Sequence, residues 1–226
     1  MRSITITGSE GLIGSQLKKF FEKNDGVEVK KLDLTLGDDL TDESFVAKWF
    51  KENPTDYLVN CFGLNDHVTK DKKKHTLFDI PLESLSKYLE INVTSLFSVC
   101  REFARNNQTG AIVNFSSTHG IISPDPTLYD GFHKDIGYAV SKAGVINMTK
   151  YLAVHLAPKI RVNCIVAQGV LSNQDERFVE NLSKAIPMKR MMNKTELNDL
   201  VDYLSSEKSS FVTGSIVTID GGYTSW

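Results

Sequence analysis

The chain is 226 residues long and 41% hydrophobic, enough to bury a sizeable core in one domain. Its 26 Lys and Arg against 28 Asp and Glu leave a formal charge of -2, without the basic excess that a reader of the phosphate backbone needs to displace counterions. No run approaches the roughly 18 to 20 apolar residues of a membrane span, and the N-terminus enters a strand pattern instead of a signal peptide. A cytoplasmic protein with neither nucleic acid nor membrane as partner is expected.

From the N-terminus, β-branched segments alternate with segments of helical period. "SITITG" (3–8) predicts a strand, 12–23 a helix, and "VEVKKLD" (27–33) a second strand. A helix follows over 42–52, with Thr41 or Asp42 as its cap, and then the strand "YLVNCFG" (57–63). After a polar, mostly basic run, "TKDKKKH" (69–75), come a long helix over 82–106 and the strand "AIVNFSS" (111–117). The remainder predicts a helix over about 136–157, the strand "IRVNCIV" (160–166), helices over about 174–185 and 194–205, and the strand "SIVTID" (215–220). Several strands are apolar on both faces, as a sheet covered on both sides requires. The expected fold is α/β: a single domain over 1–226 holding a Rossmann-type, doubly wound parallel sheet flanked by helices on both faces.

Cys61, Cys100 and Cys164 stand apart in apolar runs, which predicts buried thiols in a reducing compartment. His67, His75, His119, His133 and His155 show no metal spacing, and no metal is expected; His119, two residues after Ser117, either takes a structural or solvent-facing role or faces the cleft.

Where the first strand gives way to a helix, "TGSEGLIG" places Gly8, Gly11 and Gly14. A tight turn there needs residues that tolerate positive φ, a pyrophosphate can approach the backbone only where Cβ atoms are absent, and the helix offers its free N–H groups. This predicts a dinucleotide site. Asp33, 19 residues after Gly14 at the end of the second strand, is placed to accept hydrogen bonds from the adenosine ribose and to repel a 2'-phosphate. NAD is favoured over NADP, although Lys30 and Lys31 beside it leave a phosphate contact open.

Two tyrosines lie near each other in "LYDGFHKDIGYAVSK" (128–142). Tyr138 and Lys142 are i and i+4 on one face of the predicted helix, so the ammonium favours the phenolate and makes Tyr138 a candidate acid/base. Tyr129 has His133 at the corresponding position and sits in a segment rich in Pro, Asp and Gly that reads as a loop.

With these residues in place, nearly the whole chain resembles the short-chain dehydrogenase/reductase family. "TGSEGLIG" is similar to its glycine loop, with Leu12 and Ile13 at the pyrophosphate; Asp39 and Leu40 resemble its adenine-contacting pair; "NCFG" resembles its Asn-x-Ala-Gly strand end, through Asn60, Phe62 and Gly63. "INVTSLF" resembles the helix carrying its asparagine (Asn92), "IVNFSS" the strand ending in its serine (Ser117), "YAVSK" its Tyr-x-x-x-Lys, and "FVTGSIVTIDGG" its C-terminal strand. The resemblance implies that Tyr138 exchanges a proton with a hydroxyl or carbonyl oxygen while a hydride passes to or from a nicotinamide. Lys142 would hold the nicotinamide ribose and depress the tyrosine pKa, Ser117 would hydrogen-bond the same oxygen, and Asn92 would anchor a water relay behind Lys142. It also implies that helices 82–106 and 136–157 pair across a two-fold axis into dimers or tetramers.

The chain departs from the family pattern at several places. The family separation of serine and tyrosine is shorter than the 21 residues between Ser117 and Tyr138; Tyr129, 12 after Ser117, fits it better but lacks the lysine. "SPDPTLYDGFHKDI" is therefore read as holding an insertion, similar to a branch linked to bacterial surface and flagellar sugar modification, with Tyr129 and His133 lining the substrate pocket. Ala167 and Gln168 replace the usual Pro-Gly in the loop that would grip the nicotinamide carboxamide near Val170, and losing the proline loosens it. "LDLTLGDDLTDESF" leaves almost no room for the usual helix between the second and third strands, predicting a shallow adenine side. Lys70, Lys72, Lys73, Lys74 and His75 read as a solvated charged loop or, alternatively, as loosely placed charges that attract an anionic substrate such as a sugar phosphate or nucleotide sugar. The leading expectation is an NAD-dependent oxidoreductase of a secondary alcohol or ketone. The rivals are a nucleotide-binding regulator on the same fold and a dehydratase or epimerase that uses the nicotinamide transiently.

Overall fold

Strand β1 (Arg2–Thr7) leads through helix α1 (Leu12–Glu22) to β2 (Val27–Leu32), and α2 (Glu43–Glu52) leads to β3 (Tyr57–Asn60). The second half runs through α3 (Leu82–Leu89), α4 (Leu96–Asn106), β4 (Gly110–Ser117), α5 (Ile136–Leu156), β5 (Ile160–Ala167), α6 (Glu176–Ala185), α7 (Asn198–Leu204) and β6 (Ile216–Ile219). This is a computed structural model, and it describes residues 2–66, 77–129 and 133–225. His67, the four lysines 70 and 72–74, and His75 lie outside the described residues.

All six strands pair in parallel in the order β2-β1-β3-β4-β5-β6. The order reverses between β1 and β3, and in such a sheet a crevice opens beyond the carboxyl ends of the strands at that reversal. Along β4 and β5 the side chains alternate between two cores. Ile112, Val162 and Cys164 pack with Phe50, Phe103 and Leu152 on one face, while Val113 and Ile165 pack with Leu17, Phe21 and Val201 on the other. Both faces are dry, which explains the near-continuous apolar strands.

Three local findings correct the expectations. First, the helix expected over 42–52 forms as α2, so the reading that "LDLTLGDDLTDESF" leaves almost no room for a helix between β2 and β3 is corrected: Asp42 caps α2 by accepting from Ser44 N at 2.9 Å and Phe45 N at 3.2 Å, and Phe50 locks it to α4 through an edge-on contact with Phe103. Aromatic burial near the C-terminal end of α2 makes so short a connection sufficient. Second, helix 82–106 is interrupted: residues Glu90–Ser95 form a π-helical turn, stabilised by Ser95 Oγ donating to Glu90 O at 2.9 Å. Third, 194–205 begins as a 3₁₀ turn, Lys194–Leu197, before α7. Among the described residues no helix is long and apolar enough to cross a membrane.

Candidate active site

The turn after β1 is built by backbone proximity. Gly8 adopts φ +64°, where a Cβ would lie 2.6 Å from Phe62 N, and a Cβ on Gly14 would lie 2.0 Å from Gly8 O. Side chains have no room here, so β1, the β3 end and α1 meet at the sheet's switch point. Gly11 caps α1 without a side-chain bond, which directs the first amides of that helix toward an external acceptor. Leu12 is 40% exposed at the same end, whereas Ile13 packs into the second core. A pyrophosphate fits this cradle.

Asp33 lies at the end of β2 as expected, but its carboxylate works within the chain. Oδ2 accepts from Glu10 N at 3.0 Å, and Oδ1 accepts from Thr35 N and Thr35 Oγ1 at 2.9 and 2.8 Å. Burial opposes its ionisation, but these bonds outweigh burial and hold the carboxyl below its ordinary value. Asp33 thus ties the second strand to the glycine turn and keeps a negative charge beside it. Asp39 accepts from Thr41 N and Thr41 Oγ1, and the Leu40 side chain belongs to the core, leaving only its backbone for an adenine.

On the other side of the switch point, Asn60 is buried in a network. Its Oδ1 accepts from Thr7 Oγ1 at 3.1 Å, and its Nδ2 donates to Asn114 Oδ1 at 2.9 Å. Its role is to fix the strand ends beneath the cleft. Phe62 and Gly63 follow, and a Cβ on Gly63 would approach Asn92 Oδ1 at 3.1 Å and Lys142 Nζ at 3.6 Å. Asn92 sits in the π turn, where the widened winding aims it at the β3 end. Leu64 N donates to its Oδ1 at 2.7 Å, while its Nδ2 donates to Leu64 O at 3.1 Å and Ser141 Oγ at 3.0 Å.

Tyr138 opens α5 and is 8% exposed. The Ser117 hydroxyl lies close enough to the phenol to favour its ionised form, and Ser117 Oγ accepts from His119 N at 3.2 Å. Lys142, one turn on, donates to Phe115 O at 3.2 Å and lies 5.8 Å from the Tyr138 ring centre. The electrostatics differ from the simple i, i+4 expectation. Burial pushes the phenol up, with the Ser117 hydroxyl acting in the opposite direction, and burial pushes the Lys142 ammonium down. Desolvation is therefore the largest influence on both groups.

Tyr129 lies elsewhere, hydrogen-bonded to His119 Nε2 at 3.1 Å and tilted against Phe178. Together with His133, His119 and Lys134 it lines a cavity of about 450 Å³ whose other walls are mostly apolar, Ile121, Ile122, Ile136 and Val140 among them. His119 is half-buried, its ring edge-on to Tyr138 at 6.1 Å, so its place is on the cavity wall and not in solvent. Burial, assisted by the charge of Lys134, lowers its pKa to about 4 and leaves it neutral. The sequence pattern did not single out Lys134. It stands four positions before Tyr138, the mirror of the Lys142 spacing, and that symmetry is the signal the sequence offers.

The loop after β5 is braced rather than loosened. Gln168 N donates to Ile219 O at 3.1 Å, and its Oε1 accepts from Thr118 Oγ1 at 3.2 Å and Gly169 N at 2.8 Å. A side-chain amide does here what a proline ring would have done through φ. Val170 follows, 7% exposed, its carbonyl accepting from Gln174 Nε2 at 2.8 Å. The cysteines are free; Cys100 and Cys164 are buried and Cys61 is half-buried.

Comparison with known proteins assigns the fold and site to a class. A family model described as enoyl-(acyl carrier protein) reductase matches residues 15–224. The 3-oxoacyl-[acyl-carrier-protein] reductase of Buchnera aphidicola subsp. Baizongia pistaciae is 28% identical over 230 residues, covering 97% of this chain and 86% of its own. The short-chain dehydrogenase of Leptospira borgpetersenii, solved with NAD+, matches at TM-score 0.80 and 28% identity over 99% of this chain and 92% of that one. A gluconate 5-dehydrogenase of Burkholderia cenocepacia, solved with NADP and tartrate, shares the fold at TM-score 0.83 and 21% identity, covering 100% and 96%. The chain belongs to the short-chain dehydrogenase/reductase family. Within it, the chain is an NAD(P)-dependent oxidoreductase.

Proposed function

We propose that this enzyme interconverts a secondary alcohol and a ketone on a hydroxyl-rich, anionic substrate of the sugar phosphate or nucleotide sugar class, with NAD as the preferred cofactor. The observation that carries the reading is the meeting of Ser117, Tyr138 and Lys142, with the Ser117 hydroxyl favouring ionisation of the phenol and Lys142 one helical turn further on, 5.8 Å from the ring centre. The glycine turn would hold the pyrophosphate, Asp33 the adenosine ribose, Lys142 the nicotinamide ribose, and the Val170 loop the carboxamide. When bound, the nicotinamide supplies or takes the hydride. Tyr138 gives its hydroxyl proton to the substrate oxygen in reduction, or takes it in oxidation, and Ser117 hydrogen-bonds the same oxygen. Asn92 fixes the β3 end beside Lys142 and supports a water relay behind it.

NAD is favoured because the buried Asp33 carboxylate beside the glycine turn repels a 2'-phosphate. The sugar-like substrate is favoured by the polar edge of the cavity, His119, Tyr129, His133 and Lys134. Phe97, Tyr151 and Val154 on α4 and α5 are exposed apolar groups suited to pairing two copies in a cytoplasmic homodimer or homotetramer. The rival, a nucleotide-binding regulator, drew on Ala167 and Gln168, and the bracing by Gln168 removes that reason for preferring it.

Calorimetric titration with NAD(H) and NADP(H), followed by an assay of sugar phosphates, nucleotide sugars and a 3-oxoacyl thioester, tests the proposal. Tighter binding of NAD(H) with turnover of a sugar derivative is expected. Preference for NADP(H) overturns the cofactor reading, and turnover of the acyl substrate alone overturns the substrate reading.

A further inference from the structure

Two ammonium groups lie within about 6 Å of the Tyr138 ring centre. Lys142, four residues on, lies 5.8 Å from the ring centre; Lys134, four residues before, lies nearer, at 4.5 Å. Lys134 is fixed there, since its Nζ donates to Asn65 Oδ1 and to Asp66 O, both at 2.6 Å. It joins the segment before α5 to the loop after β3 and meets Tyr138 on the cavity side.

We propose that Lys134 is a second electrostatic positioning residue, its ammonium favouring the phenolate of Tyr138 from the cavity side as Lys142 does from within the helix. The inference rests on the reading of Tyr138 as the acid/base. An opposite charge within about 4–6 Å of a titrating group favours its charged form. The need for such a charge is local: Tyr138 is buried, and Lys142 gives a hydrogen bond to Phe115 O.

The other groups around Tyr138 do not supply that charge. From β4 and the turn after it come the Ser117 hydroxyl and the neutral ring of His119. From α3 comes Tyr88, its ring 6.2 Å away and its hydroxyl accepting from Asp66 N at 3.1 Å. Among the described residues the carboxylates of Asp66 and Asp135 act on Tyr88 and disfavour its ionisation; Asp135 accepts from Gly137 N at 2.7 Å and from Ser84. Neither supplies a positive charge. The reach of the Lys134 charge is visible in its effect on His119.

The test is a tyrosinate absorbance titration of the whole protein as wild type, Lys134→Met, Lys134→Gln, Lys134→Arg and Asn65→Ala. In each case the Tyr138 step is isolated by subtracting the same background carrying Tyr138→Phe. The expected result is a Tyr138 step about one pH unit higher in the methionine and glutamine variants. Arginine, which keeps its charge throughout the titration, should restore the wild-type value or go below it. The acidic limb of kcat/KM should move with the step. An unmoved step in both neutral variants overturns the proposal. So does an equal shift in Asn65→Ala, which keeps the charge and removes one tether, because the effect then belongs to loop closure. Full turnover in Tyr138→Phe sinks the acid/base reading itself, and that result comes from a separate assay.

Discussion

The side chain of Asn92 holds both backbone groups of Leu64, accepting from its N–H at 2.7 Å and donating to its carbonyl at 3.1 Å. The widened π turn of one helix is thereby joined to the first residues beyond β3, beside the place where Lys142 reaches the cleft. Asn92→Ala leaves both Leu64 groups without these partners and should destabilise the protein by about 1–3 kcal/mol in urea denaturation. Faster amide exchange at Leu64 is expected with it. An unchanged exchange rate would show that the tie does not hold this segment.

Ser117 and Tyr138 predict a graded loss of activity. Tyr138→Phe removes the proton that must move and should lower turnover by roughly 10²- to 10⁴-fold while nucleotide affinity, read by calorimetry, stays close to wild type. Ser117→Ala keeps the proton and removes one bond, so its loss should be smaller. A larger loss from serine than from tyrosine would reverse the assigned roles.

Asp33 predicts a pH dependence of stability. Its folded pKa is depressed, so its contribution is present above the ordinary carboxylate range and disappears as pH falls through the folded value. Asp33→Ala should lose about 1–2 kcal/mol at neutral pH, and the gap to wild type should narrow as the pH falls below about 4. Urea denaturation across that range checks it. The same variant should bind NAD(H) more weakly.

His119 acts in a different pH window. Its folded pKa of about 4 lies below the ordinary 6.5, so the unfolded chain takes up the proton first as pH falls. Stability is full above about 6.5 and declines down to about 4, with at most about 3 kcal/mol at stake. His119→Gln should abolish this segment of the slope in thermal melts recorded from pH 7 to pH 4. A slope that persists would assign the titration to another group.

Much of this was legible before any coordinates because periodicity reports burial directly. The strands of β4 and β5 alternate between two cores, and that alternation is written in their residues. The glycine turn and the Tyr138–Lys142 spacing were equally legible, since each depends on local geometry. The π turn was not, because Glu90–Ser95 keeps a helical pattern and differs only in winding. The bracing by Gln168 was hidden for another reason: its partners, Thr118 and Ile219, lie 50 and 51 positions away in the sequence. Likewise, the direction of the Tyr138 shift depends on how deeply the ring is buried, which no i, i+4 rule contains.

The π turn also sets the phase of everything after it. Tyr88 before it and Phe103 beyond it are both fully inside, at 1% and 0% exposure, although an unbroken helix is not what joins them. Each α-helical residue advances the azimuth by about 100°. The π turn closes i→i+5 bonds and so uses one residue more than an α turn does; its six residues advance the azimuth about as far as five α-helical ones would. Deleting a single residue between 90 and 95 would let the segment rewind as ordinary helix with Phe103 still facing Phe50, whereas rewinding all six residues would rotate α4 by about 100° against the sheet. The cost of such a deletion falls on the bulge itself, and with it on the aim of Asn92 at Leu64.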